Sequence, residues 1–419
     1  MKFKDHWADY ARYLPAPNDH FVKFAEQATT SALKKRLPRG VRAKHTNFLN
    51  PASPLFCWPN VLYTATFAVG NGKPTIISNR DRTKTFVLGD SGGFSLISGA
   101  VSSSMGSWRA ATLDWQEAEC DVGIIVDVPT RAIDVLASGY TSFQSCLDQT
   151  VDNAKFAIGN RSRPDLKLLA VYQGRTKFEA DKWAGVMETF QPNFEGMAIA
   201  GHTRLEIADW IRRFRSMMDR GLFDTVAHIH FLGTAQPRFA VLATALQRAL
   251  RKYVRADLAV TFDSSTSFTF VQKFGQIVTG LQADRKDFRL VNHTMPNRGG
   301  EFNSLTPFPY RSPLADLCTV GDFLPGTDPT TTPSDMVGNN MLSHHSVYSE
   351  LSAILQANRL VDMAQEGMNG LVPYDISLAI GMIDKAIAGS GQALIDLQRL
   401  LSRPGSKITA RVEDRADEA

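Results

Sequence analysis

The chain has 419 residues, 43% hydrophobic and 21% charged, with 46 Lys and Arg against 42 Asp and Glu. These proportions exclude a disordered or collagen-like polymer and leave room for one large barrel with additions, or for two ordinary domains. No apolar run reaches membrane-spanning length. Met1–Tyr13 carries charges and aromatics where a secretory leader needs an apolar core, so a cytoplasmic protein is expected. Residues 1–47 read as a helical extension ending in a basic stretch. There Lys34, Lys35, Arg36, Arg39, Arg42 and Lys44 stand with no acidic residue between them. Both a phosphate-contacting surface and a solvated arm fit that pattern.

From there a rhythm appears. Short, β-rich apolar runs end in a polar residue or glycine and are followed by longer, helix-like segments. The runs are Val61–Phe67, Thr75–Ser78, Thr85–Gly89, Val122–Val126, Lys167–Tyr172, Gly196–Ala200, Ala227–Leu232 and Leu258–Phe262. Each has the length of a buried strand, and most recur at the spacing of a strand–loop–helix–loop unit. Arg204–Arg220 and Arg238–Tyr253 show helical spacing, with Phe239, Leu242, Leu246 and Leu250 on one face. Alternating strands and helices predict a parallel sheet with right-handed crossovers, and about eight strands predict an α/β TIM (β/α)8 barrel. No GxGxxG follows the first strand, which disfavours a dinucleotide-binding sheet.

The barrel is assigned to residues 48–365, with a Pro-, Gly- and Thr-rich irregular insertion around 297–340. Helices return at Met341–Met363 and Asp375–Leu401, so residues 366–419 read as C-terminal helices and a polar tail. Cys57, Cys120, Cys146 and Cys318 are widely spaced with no CxxC pair, which points to free thiols in a reducing compartment.

The residues at or just beyond the expected strand ends are Asp90, Asp127, Gln173, Gly201, Gly233 and Asp263. Asp and Gly commonly follow strands as caps and turns, which explains any one of them. In a TIM barrel, however, strand C-termini share one face and supply its catalytic groups, so six in succession point to one pocket.

Leu88-Gly89-Asp90-Ser91-Gly92-Gly93-Phe94-Ser95 resembles the signature of the tRNA-guanine transglycosylases. Further segments are similar to that family's other stations, in order: Val126–Thr130, Val171-Tyr172-Gln173-Gly174, Ala198-Ile199-Ala200-Gly201, Phe231-Leu232-Gly233, Thr261-Phe262-Asp263-Ser264 and Leu342-Ser343-His344-His345. The resemblance covers roughly residues 48 to 365. It implies an enzyme, a glycosyltransferase that exchanges guanine for a 7-deazaguanine base while the polymer stays intact. Asp263 is then the nucleophile that holds the sugar covalently, and Asp90 the general acid/base. Asp127, Gln173 and Gly201 would recognise the guanine edge. Phe94 and Leu232 would sandwich the ring. Ser91, Gly92, Gly93 and Gly233 would let backbone approach the ligand.

The chain departs from the tRNA enzymes in the extension before the barrel, in the longer loop after Asp263 and at their metal site. They hold a structural zinc with three cysteines and a histidine, whereas Leu317–Phe323 contains Cys318 alone. His345 stands near the fourth ligand's place. No metal and no cofactor is expected, because Cys318, Asp322, His344 and His345 make a poor zinc set. With that loss, and with Arg285, Lys286, Arg289, Arg298 and Arg311 in a longer excursion after Asp263, the chain looks more like the DNA-guanine transglycosylases of bacterial genomic islands and phages. DNA is the expected polymer, with helper proteins of a modification system as possible partners and no membrane. Three alternatives stand beside this reading: a tRNA enzyme without zinc, a non-catalytic nucleic-acid-binding subunit, and an unrelated barrel glycosidase. Retention of Asp90 and Asp263 argues against the second.

Overall fold

The computed structural model describes residues 8–69, 75–295, 305–324, 335–368 and 371–408. Its eight parallel strands are β1 (Arg12–Pro15), β2 (Asn60–Thr64), β3 (Phe86–Asp90), β4 (Val122–Ile124), β5 (Lys167–Tyr172), β6 (Gly196–Ile199), β7 (His228–Phe231) and β8 (Ala259–Ser264). They are ordered β1-β8-β7-β6-β5-β4-β3-β2, and β1 and β2 come back together at the seam. The result is a nearly closed TIM-like barrel, as the alternation predicts.

Between β1 and β2 lie α1 (Asp19–Glu26) and α2 (Ser31–Arg36). The short α3 (Ala65–Ala68) and α4 (Gly93–Ile97) follow β2 and β3. The crossover helices α5 (Met105–Glu119), α6 (Phe143–Asn160), α7 (Lys177–Met187), α8 (Ile207–Asp219) and α9 (Pro237–Tyr253) lead from β3 through β7 to the next strand, and α10 (Thr266–Phe274) follows β8. Their starts follow ordinary capping chemistry: Ser104, Ser142 and Thr176 accept from the backbone N–H of Ser107, Ser145 and Glu179, and Pro237 occupies the first turn of α9. Phe239, Leu242, Leu246 and Leu250 of α9 are wholly buried.

Two strand expectations are corrected. Thr75–Ser78 is a turn in which Ser78 Oγ accepts from Thr75 N–H at 2.9 Å, and both Ile76 and Ile77 are buried, without the alternation a half-buried strand requires. The eighth strand is Arg12–Pro15, inside the segment expected to be a helical extension. It pairs with β8 in the register Tyr13↔Phe262 and Leu14↔Asp263. A four-residue strand ending in proline carries almost no periodic signal, and its partner lies some 250 residues away.

After α10 the chain adds an antiparallel hairpin, β9 (Gln276–Ala283) and β10 (Phe288–Thr294), which the sequence pattern does not announce. Beyond it, residues 305–324 run irregularly to the short α11 (Val320–Phe323). The long α12 (Met336–Gln365) packs on β9, α10 and α9. The expected last helix is two, α13 (Tyr374–Ile387) and α14 (Gly391–Leu401), which pack on each other and on the barrel helices. Among the described residues no helix is long and apolar enough to cross a membrane.

Strand alternation decides what fills the barrel. Phe231 and Phe262 pack outward on Phe239 of α9. Their neighbours His228, His230 and Thr261 therefore face the lumen. His228 stacks on Phe86 of β3, over which Arg12 of β1 also lies. The lumen thus holds a polar column that leads up to Asp263.

Candidate active site at the strand ends

Parallel strands deliver their C-terminal residues to a common mouth. Here those ends surround a cavity of about 800 Å3, within the range of small-molecule sites. Asp90, Asp127, Gln173, Gly201, Gly233 and Asp263 all line it, as do Gly92, Gly93 and Leu232. Ser91 is buried outside the lining, its carbonyl accepting from Trp108 Nε1 at 2.9 Å. Phe94 belongs to α4, and its side chain lies outside the described residues.

Asp263 is nearly buried at the end of β8. Its Oδ1 accepts the Gly233 backbone N–H at 3.0 Å and meets His230 Nε2 at 3.1 Å. Oδ2 carries no hydrogen bond among the described residues.

Asp90 and Asp127 occupy a different environment. Both keep part of their surface open to the cavity, yet they lie deep enough for loss of water to dominate. Burial pushes the Asp90 carboxyl up and the Asp263 charge adds to it, against hydrogen bonds from Gly92 and Thr64 and the nearby His230. The Gly92 bond is 3.1 Å long. Gly92 takes a left-handed φ of +63°, and a side chain there would collide with Thr66. Asp127 is pushed up to about 7, first by burial and then by the Asp90 charge, against its bond from Gln173.

Gln173 is buried and fully engaged. Its Oε1 accepts from Thr130 N–H at 3.0 Å, while Nε2 donates to Asp127 Oδ2 at 2.8 Å and to the Val128 carbonyl at 3.1 Å. That pattern of one acceptor and two donors fixes the amide orientation. In the free protein Gln173 aligns Asp127 and presents no unused amide to the cavity.

Gly201 has a φ of +73°, and a Cβ would stand 2.9 Å from the Gly174 carbonyl, so no other residue fits the turn without displacing backbone. The buried Arg204 holds this turn to the next one. It donates to the Gly201 carbonyl at 3.0 Å and to the Gly233 carbonyl at 3.2 and 3.1 Å. A planar guanidinium fork suits this bridge.

His230 and Arg204 were not singled out from sequence. For His230 a signal existed: His228 and His230 alternate in a buried strand opposite Thr261, a polar period of two where apolar residues are expected. Arg204 carried none. Arg131, Arg175 and His202 also line the cavity; Arg175 is paired with Glu179 at 3.2 Å and Asp134 at 3.7 Å.

The basic residues expected to meet nucleic acid stand apart from the cavity lining. Lys34, Lys35, Arg39 and Arg42 are exposed, with no ion pair among the described residues, as are Arg285 and Lys286 at the β9–β10 turn. Arg36 differs: it is bound to Asp335 at 3.0 Å and to the Asp322 carbonyl at 3.2 Å. Arg298 lies outside the described residues.

The region that resembles a zinc site does not fit one. Cys318 donates to the Leu314 carbonyl at 3.3 Å, and burial raises its thiol, the opposite of a thiolate ligand. The His345 ring packs against Phe308 and Tyr310, and His344 against Phe56. Burial lowers His344 to about 3 and His345 to about 4. No three metal-ligating side chains converge among the described residues.

No protein-family model and no curated protein matches the chain.

Proposed function

We propose that the chain is a guanine transglycosylase that exchanges guanine in DNA for a 7-deazaguanine base. The observation that carries this reading is the cavity itself, where six strand-end residues meet around carboxyls in opposed environments. Asp263 Oδ2 attacks C1′ of the target nucleotide. The C1′–N9 bond breaks, its electron pair leaves with guanine, and the proton of the Asp90 carboxyl goes to the departing base. The incoming base then gives its N9 proton to the Asp90 carboxylate and attacks C1′, and Asp263 departs as a carboxylate. Raised Asp90 supplies the acid and donor-supported Asp263 the nucleophile, the division that two-carboxylate sites require.

Asp127 suits the guanine edge, since a carboxylate accepts from both N1–H and the 2-amino group. Guanine donors would draw this carboxyl into its ionised form. In a duplex the target must leave the stack, at a cost of a few kcal/mol. Phosphate contacts by Lys34, Lys35, Arg39 and Arg42 would offset that cost. DNA is preferred because the region that would hold the tRNA enzymes' zinc is packed with aromatic side chains instead.

The test is incubation with radiolabelled guanine and either duplex DNA or tRNA, alongside Asp263→Ala. Label is expected in DNA and absent with Asp263→Ala. Label in tRNA alone would reverse the choice of polymer, and label in neither would overturn base exchange.

A further inference from the structure

Resting on that reading, we infer that His230 is the positioning residue of the nucleophile: a chain of hydrogen bonds through Thr261 and His228 makes it present Nε2–H to Asp263 Oδ1, leaving Oδ2 as the attacking oxygen. His230 Nε2 lies 3.1 Å from Asp263 Oδ1, while its Nδ1 lies 2.8 Å from Thr261 Oγ1. The same hydroxyl lies 2.8 Å from His228 Nε2. Both rings and the hydroxyl are buried away from bulk solvent, and each lies within hydrogen-bond distance of the next.

Proton counting orders the chain. A hydroxyl has one proton and so donates to one imidazole and accepts from the other. A neutral His230 facing a carboxylate needs its proton on Nε2, which leaves Nδ1 as an acceptor. Thr261 therefore donates to His230 Nδ1, and its oxygen accepts from His228 Nε2–H. The opposite order would put a proton on His230 Nδ1 and turn a bare Nε2 toward Asp263, unless the ring were cationic. His228 is disfavoured as a cation by burial, next by His230 and then by Arg12 and Lys167. Besides these, the charged groups facing His230 are Asp263 on β8 and Asp90 on β3.

The arrangement has a chemical consequence. Oδ1 carries two donors, Gly233 N–H and His230 Nε2–H, and Oδ2 carries none among the described residues. When Oδ2 bonds C1′, Oδ1 becomes the ester carbonyl. When the incoming base displaces the ester, charge returns to Oδ1, and donors already aimed there stabilise the departing carboxylate. His230 thus acts on both steps without touching the substrate.

The test has two readouts. In protein labelled with 15N at histidine, His230 and His228 should both carry their proton on Nε2, and Asp263→Asn should shift the His230 signal. A His230 proton on Nδ1 overturns the inference whatever the activity. In kinetics, His230→Phe should lower kcat roughly hundredfold and leave KM for guanine near wild type. His230→Gln, whose Nε2 can still donate, should recover much of the loss, and Thr261→Ser should be milder than Thr261→Val. A wild-type kcat in His230→Phe, or a fall confined to KM, overturns the positioning role. The intended tautomers in a wild-type protein that exchanges no base on any polymer would sink the transglycosylase reading and leave the hydrogen-bond assignment standing.

Discussion

The two sides of the cavity treat their carboxyls in opposite ways. On the β3–β4 side, burial raises both Asp90 and Asp127, with the Asp263 charge adding to the first and the Asp90 charge to the second. Each receives limited support, from Gly92 and Thr64 in one case and Gln173 in the other. On the β7–β8 side, Asp263 has two partners on one oxygen, the backbone N–H of a turn and the ring Nε2 of a histidine fixed by the strand beneath. The two sides thus differ in their local support: loss of water raises Asp90 and Asp127, whereas both partners of the Asp263 carboxyl converge on one oxygen.

That contrast can be broken from the Asp90 side first. Asp90→Asn removes the acid while keeping the shape, and should slow guanine release by roughly 10²–10⁴-fold. The sign of its pH dependence follows from the raised carboxyl. Its protonated form supplies the proton below the raised value, so the wild-type rate falls as pH rises through it. The rate profile of Asp90→Asn should lack that alkaline limb; an unchanged limb would mean another group is the acid.

Next in size is the strut between the two glycine turns. Arg204→Met leaves the Gly201 and Gly233 carbonyls without their shared donor, which should cost about 1–3 kcal/mol in urea unfolding and weaken guanine binding. A variant equal to wild type in both would show the bridge to be unnecessary.

Asp127 offers a smaller effect whose sign separates the two sides. Its carboxyl lies at about 7 in the folded chain against an ordinary value of 3.8. The folded state therefore holds the proton more tightly, and stability is lost as pH rises from about 4 to about 7. Asp127→Asn should raise the melting temperature at pH 8 and leave it nearly unchanged at pH 4, while weakening guanine binding. A lower melting temperature at pH 8 would contradict the assigned burial penalty.

The smallest effect is expected from the surface. Replacing Lys34, Lys35, Arg39 and Arg42 with Gln should leave the fold intact and reduce the salt dependence of DNA binding. Each lost phosphate contact should lower the log–log slope by about 0.9. An unchanged slope would place the polymer elsewhere.

The legibility of these features in the sequence varied for physical reasons. Runs such as Lys167–Tyr172 and Ala227–Leu232 are long and apolar enough to announce strands, and parallel topology then brings their ends together. This is why Asp90, Asp127, Gln173, Gly201, Gly233 and Asp263 were legible as one pocket. Arg12–Pro15 was not, because its strand character depends on pairing with β8 rather than on its own four residues. The β9–β10 hairpin was hidden by mixed burial along both strands. Gln173 was legible as a site residue but not in its engagement with Thr130, Asp127 and Val128, which depends on a neighbouring strand end. Arg204 was invisible because it ties the two turns together through backbone carbonyls, which leave no trace in composition.

The most direct test of the account is to trap the sugar on Asp263. Protein mixed with a guanine-containing DNA duplex, without an incoming base, would be quenched in denaturant and digested for mass spectrometry. The account predicts a DNA adduct on the peptide carrying Asp263, lost in Asp263→Asn and released when a 7-deazaguanine base is added before quenching. Guanine released with no adduct, or an adduct on Asp90 in place of Asp263, would contradict it.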